Sequence, residues 1–153
     1  MLYLASDHAG FKLKLDVIAF LKQADIEFTD MGPFTYDALD DYPDFIFPAA
    51  LKVAANPEIN KAIILGASGQ GEAMAANKVT GIRATVYYGD PEEIITLSKI
   101  HNKANILSLG AKFIDKQQAI EIIKLWLTTD FTNEERHLRR INKISKFESS
   151  HRK

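Results

Sequence analysis

The stretch Gly66-Ala67-Ser68-Gly69-Gln70-Gly71-Glu72 joins closely spaced glycines to a single carboxylate. Glycines at this spacing let backbone N–H groups approach a ligand, and the start of a following helix favours negative charge. Such a turn can hold a phosphate, or stabilise an oxyanion that exists only during reaction. Glu72 has two readings. The helix dipole alone stabilises a carboxylate in a first turn. A carboxylate beside backbone amides is also a good general base, able to take a carbon-bound proton while the amides hold the charge that develops. The stretch is neither the dinucleotide fingerprint nor the P-loop, because it lacks the third glycine of G-x-G-x-x-G and any Gly-Lys-Ser/Thr ending.

Three further groups carry polar chemistry. Asp7-His8 is followed closely by Gly10, and either meets a ligand or leaves Asp7 as a helix cap and His8 exposed. His101-Asn102 falls where a helix should end, a position that favours imidazolium and so a general acid, or else a surface cap. Arg136, His137, Arg139 and Arg140 cluster near the C-terminus. Arg136 and Arg140 are one helical turn apart and share a face. Two guanidinium groups so placed can grip a phosphate, although pairing with Glu134 and Glu135 on a solvated face is the plainer reading.

These residues need elements to position them. Short apolar runs predict strands over Leu2–Ala5, Glu27–Met31, Lys61–Leu65, Arg83–Tyr88 and Asn105–Leu109. Amphipathic runs predict helices over Phe11–Gln23, with Leu15, Ile18 and Leu21 among its apolar positions, and from Pro43 to about Ala55. Further helices are expected over Glu72–Lys78, Pro91–Ile100, Asp115–Leu127 with Asp115 as N-cap, and Asn133–Phe147. Phe34–Asp41 reads as a polar and aromatic loop, and Glu148–Lys153 as a frayed tail. Strands alternating with helices imply a three-layer α/β/α sandwich of Rossmann-like type, with a five-stranded, mostly parallel sheet and a C-terminal helix, in one domain spanning 1–153. In such folds ligands bind beyond the carboxyl ends of the strands, here segments 6–10, 32–42, 66–72, 89–91 and 110–114.

Composition narrows the function classes. The chain has 153 residues, 46% hydrophobic and 25% charged, with 19 Lys plus Arg against 20 Asp plus Glu. That balance argues against nucleic acid as a partner. There are no cysteines, which removes disulfides, thiolate metal sites and thiol nucleophiles together. No basic leader precedes an apolar stretch, and no apolar run approaches the roughly 20 residues of a membrane helix. The expectation is a soluble cytoplasmic protein that does not engage a membrane.

Taken together, Ser6-Asp7-His8-Ala9-Gly10, Asp41-Tyr42-Pro43, Gly66–Glu72 with Ala75-Ala76-Asn77-Lys78, Gly81-Ile82-Arg83-Ala84, His101-Asn102, Asn105-Ile106-Leu107 and Arg136-His137…Arg140 resemble the type B ribose-5-phosphate isomerases and the related galactose-6-phosphate isomerases. The order and spacing match from residue 2 to about 145. The resemblance implies an aldose–ketose isomerase of a phosphorylated sugar, with no metal or cofactor, working as a homodimer or tetramer whose active sites draw on both chains. It implies either a cysteine just after the third strand or a glutamate at the helix start as the base; here these positions are Gly66 and Glu72. It places Ser68 beside substrate, Tyr42 near the sugar, and Arg136, His137 and Arg140 on the phosphate. Lys112 stands where many members have arginine, and keeps the charge but not the bidentate fork. Ala67 replaces a usual glycine, and Asn133-Glu134-Glu135 replaces a Gly-Gly approach and adds two negative charges.

The mechanism expected is ring opening by His101, assisted by Asp7 or His8, followed by removal of the C2 proton by Glu72 and its return to C1. The N–H groups of Gly69, Gln70 and Gly71 hold the enediolate charge, Ser68 shuttles a proton between oxygens, and His8, Tyr42, Ala67, Asn102 and Lys112 join the arginines around the substrate. The favoured sugar is ribose 5-phosphate, converted to ribulose 5-phosphate. The alternatives are a six-carbon phosphate (allose 6-phosphate or galactose 6-phosphate), a non-catalytic sugar-phosphate sensor, and a nucleotide-binding module of flavodoxin type.

Overall fold

The structure, a computed structural model, describes residues 1–151. Five strands, β1 (Leu2–Ser6), β2 (Phe28–Asp30), β3 (Lys61–Gly66), β4 (Ala84–Tyr87) and β5 (Ile106–Gly110), form one sheet in the order β2-β1-β3-β5-β4. All four pairings are parallel. The helices are α1 (Phe11–Gln23), α2 (Pro43–Ala54), α3 (Gln70–Ala76), α4 (Glu93–Ile100), α5 (Lys116–Thr128) and α6 (Glu135–Ser150).

The strands alternate between two buried faces. Ile63, Leu65, Leu107 and Leu109 point into a core shared with Leu13, Val17 and Leu21 of α1, Ile95 of α4 and Ile122, Ile123 and Trp126 of α5. Ala62, Ile64 and Ile106 point the other way, against Ile46, Ala49, Ala50 and Val53 of α2 and Ala75 and Ala76 of α3. A central strand covered on both sides must be apolar throughout, which is why Lys-Ala-Ile-Ile-Leu reads as an unbroken run. The three-layer expectation holds.

Local differences have physical causes. The buried stripe of α1 is Leu13, Val17 and Leu21, at four-residue spacing, while Leu15 is half exposed. Lys14 lies in that buried stripe, its ammonium donating to Asp30 Oδ1 at 2.8 Å and to the Pro33 carbonyl at 2.6 Å. Helix α3 starts at Gln70, two residues before the expected Glu72, because Gly69 takes a left-handed φ of 74° and turns the chain directly into the helix. Asp115 caps α5 as expected, accepting the Gln118 N–H at 2.8 Å.

Helix α6 runs on to Ser150, where fraying was expected from Glu148. The Glu148 carboxylate accepts the Gly81 N–H at 3.1 Å and ties the end of the helix back to the body. Residues 152 and 153 of that expected tail lie outside the described residues. No helix among the described residues is long and apolar enough to cross a membrane.

Candidate active site

Leaving β1, the chain crosses towards β2 on one side, while β3 pairs on the other. The carboxyl ends of β1 and β3 therefore lie side by side at a switch point. Close packing there depends on glycine. A Cβ on Gly10 would fall 2.4 Å from the Leu65 carbonyl oxygen, so only glycine lets the start of α1 come down on β3. Asp7 follows β1 with little exposure, and its Oδ1 accepts the Gly10 N–H at 2.9 Å.

Beside it the glycine turn folds over the ends of β3 and β5. Ala111 donates its N–H to the Gly66 carbonyl at 2.8 Å, and Lys112 donates to that of Ala67 at 3.0 Å. Ser108 Oγ donates to the Gly69 carbonyl at 2.6 Å, and Ser68 Oγ accepts the Gln70 N–H at 3.3 Å. Helix α3 then places Glu72 in its first turn, 4% exposed. Its carboxylate lies against Gly66: a Cβ there would sit 1.8 Å from Oε1 and 2.0 Å from Cδ. The two bases offered by the resemblance, a cysteine at 66 or a glutamate at 72, thus compete for one space. Burial raises the Glu72 pKa above the ordinary carboxylate value; its own backbone N–H opposes the shift, and the Asp7 charge adds to it. Tyr42, just before α2, lays its ring over Gly71, where a Cβ would meet it at 3.1 Å.

Asp40, at the end of the 34–41 loop, completes this end of the sheet. Its Oδ1 accepts the His8 N–H at 2.9 Å and lies 2.7 Å from His8 Nδ1. The hydrogen bond to Asp40 is the main cause that raises the His8 pKa; the Asp7 and Asp40 charges add to it, and partial desolvation opposes it. Ligand atoms of Asp7, His8 and Asp40 lie within 4.8 Å of one another, close enough to frame a cation. Asp7 Oδ1 accepts from the Gly10 N–H and Asp40 Oδ1 pairs with His8, while Asp7 Oδ2 lies 4.0 Å from His8 Nδ1. Asp40 was not among the residues singled out from the sequence. The available signal was three aspartates, Asp37, Asp40 and Asp41, in a loop at the ligand-binding end.

The remaining candidates gather elsewhere. His101 ends α4, and its ring stacks on that of His137 with centroids 4.2 Å apart. Asn102 and Arg140 line a common cleft with Arg83 between β4 and α6. His137 is buried, and burial lowers its pKa; the charges of His101, Arg136 and Arg140 reinforce the shift and Glu134 opposes it. Arg136 donates from Nε to Glu134 Oε2 at 2.9 Å. The Asn102 and Lys103 carbonyls accept from Arg83, which precedes β4. His101 and its neighbours therefore sit at the amino ends of β4 and β5. Glu72 sits at the carboxyl ends, a strand length of roughly 16 Å away. Within one chain, Glu72, Ser68, Gly69, Gln70, Gly71, Ala67, Lys112, Asp7, His8 and Tyr42 come together. His101, Asn102, Arg136, His137 and Arg140 form a second group at the opposite end.

The model of the Ribose/Galactose Isomerase family matches residues 2–144. The chain belongs to this family. It is 40% identical over 149 residues to ribose-5-phosphate isomerase B of Mycolicibacterium paratuberculosis, covering 97% of this chain and 92% of that one. A crystal structure of ribose-5-phosphate isomerase B from Mycoplasma genitalium with bound ribulose-5-phosphate superposes with a TM-score of 0.91 at 38% identity, covering 97% of this chain and 95% of the other. Ribose-5-phosphate isomerase B of Clostridium thermocellum gives a TM-score of 0.90 at 34% identity, with 99% of each chain covered.

Proposed function

We propose that this family member interconverts ribose 5-phosphate and ribulose 5-phosphate, with Glu72 as the base that moves the proton between C2 and C1. The observation that carries the reading is the placement of Glu72. Its carboxylate is buried against Gly66 at the ligand-binding end of the sheet, and burial raises its pKa towards the working range of a general base. Removing the C2 proton leaves an enediolate whose charge lies on oxygen. The Gly69 and Gly71 amides, in the turn and the first turn of α3, are the donors for that charge, with the Gln70 amide shared with Ser68 Oγ; such a donor is worth about 3–4 kcal/mol in a transition state. Ser68, two residues before the helix, passes a proton between the two oxygens in this scheme.

The reading requires two chains. Phosphate-gripping arginines and His101 lie a strand length from Glu72, too far for one five-carbon substrate to touch both within a chain. A homodimer in which the amino-end group of one chain faces the carboxyl-end group of its partner brings them together, and a two-fold arrangement creates two such sites. His101, Asn102, Arg136, His137 and Arg140 then act on the substrate held by the partner's turn. Ring opening falls to His101 with help from Asp7 or His8. The substrate is a phosphate dianion that does not cross a bilayer unaided, which suits a cytoplasmic enzyme.

Subunit mixing tests the whole scheme. Glu72→Gln and His101→Gln/Arg136→Ala are each inactive alone. Mixed in equal amounts and allowed to exchange, half of the dimers are hybrid and each hybrid has one intact site, so roughly a quarter of wild-type activity returns. No recovery after verified exchange refutes the shared site. The same assay on ribose, allose and galactose phosphates fixes the sugar; turnover of none refutes the enzyme.

A further inference from the structure

Asp40 makes an unusual set of contacts for a loop aspartate. Its side chain is only 8% exposed. Oδ1 accepts both the backbone N–H and the ring Nδ1–H of His8, at 2.9 and 2.7 Å, and Oδ2 is buried with no hydrogen-bond partner among the described residues. Among the described residues the imidazole is the one neutralising partner of this carboxylate, so its charge is directed at that ring. The ring itself is one-third exposed. With Nδ1 held 2.7 Å from Asp40 Oδ1, and Asp7 Oδ2 4.0 Å from the same nitrogen, Nε2 is the ring nitrogen left for another partner. The charged groups facing His8 are Asp40 from the loop before α2 and Asp7 from its own loop; Glu72 of α3 faces Asp7 in turn.

We infer that Asp40 is a positioning residue: through the 2.7 Å contact of its Oδ1 with Nδ1 it fixes the His8 ring and its tautomer, and so sets Nε2 as the nitrogen that meets a substrate oxygen. The inference rests on the isomerase reading for its substrate. The geometry of the pair stands without it. A carboxylate that fixes a histidine's tautomer through one ring nitrogen defines what the other nitrogen can do. Asp40 touches no reacting atom; its effect passes through His8.

The test is Asp40→Asn, which keeps an oxygen for the His8 backbone N–H and removes the charge. The His8 ring titration followed by NMR in the substrate-free protein moves to lower pH in this variant. For ribose 5-phosphate, kcat/KM near neutrality falls about ten- to a hundredfold, the range expected for loss of a charge-assisted hydrogen bond. The alkaline limb of its pH profile moves to lower pH, and the defect shrinks as the solution is made more acidic. Asp40→Glu recovers part of the loss. In a His8→Gln background, Asp40→Asn adds no more than about twofold, because the two act as one unit. An unmoved His8 titration, a defect of equal size at every pH, or a full additional loss in the His8→Gln background overturns the inference. Wild-type protein that fails to turn over ribose 5-phosphate refutes the isomerase reading instead, while the NMR titration still decides the Asp40–His8 coupling.

Discussion

Gly66→Ala is the sharpest probe of the site, because the structure assigns its consequence to one side chain. Gly66 is the last residue of β3, fully packed, and its missing Cβ leaves the space that the Glu72 carboxylate fills. An added Cβ would fall 1.8 Å from Oε1 and 2.5 Å from Oε2. Real contacts of this kind essentially never fall below 3.0 Å, so the carboxylate must withdraw by at least about 1.2 Å. The obstructed atoms are the far end of a flexible side chain, so the fold gives way there, at a cost of about 1–3 kcal/mol. Catalysis does not tolerate the same shift. A displacement of about 1 Å costs on the order of 10²-fold, or about 2.7 kcal/mol of barrier at 1.36 kcal/mol per tenfold. The expected result is a folded protein whose kcat on ribose 5-phosphate falls about 10²-fold with KM little changed, measured by aldose–ketose conversion and by washout of deuterium from C2. In a Glu72→Gln background the alanine adds almost nothing further. Near-native kcat in folded Gly66→Ala refutes the placement of Glu72 as base. Collapse of the fold refutes the argument that the side chain, and not the backbone, gives way.

Glu72→Gln itself loses C2 proton exchange and about 10²–10⁴-fold in turnover. Because burial raises the Glu72 pKa in the fold, ionising it works against folding. That penalty is absent below the unfolded pKa and grows as pH rises through the folded value; the glutamine variant therefore gains stability over wild type towards neutral pH, measured by denaturant unfolding at several pH values, and a reversed trend contradicts the burial argument. The acid limb of kcat/KM lies above the ordinary carboxylate range for the same reason. Arg140→Ala raises KM about ten- to a hundredfold with smaller change in kcat; unchanged saturation behaviour removes it from the phosphate site. Lys14→Ala breaks a fully buried ammonium's contacts to Asp30 and Pro33 and destabilises the fold by about 3–5 kcal/mol in thermal or denaturant unfolding, with a loss under 1 kcal/mol counting against it. Treatment with a chelator leaves turnover unchanged; a loss restored by divalent metal points instead to Asp7, His8 and Asp40 as ligands.

Periodicity made the elements legible. Lys61–Leu65 is apolar at every position after its lysine because both faces of β3 are covered, and the Pro43 and Asp115 signals mark helix starts through chemistry local to a few residues. Alternation of strand and helix implied the layers, and the order of short motifs pointed to the family. What pattern could not show is which positions meet. Leu15 and Leu13 are equally apolar, and only the packing of α1 on the sheet exposes one and buries the other. Asp40 looks like any loop aspartate until the chain brings it 2.7 Å from a histidine 32 residues away.

The sequence by itself determined the fold class, the family and the chemical type of each candidate group, since these follow from side-chain identity and from spacings of a few residues. Tertiary structure alone decided that Glu72 owes its burial to the bare Cα of Gly66, and that His101 and the arginines stand at the far end of the sheet from it. Parallel strands joined by helices send each helix back to the opposite edge, so the end of α4 and the start of α3 are separated by the whole length of a strand.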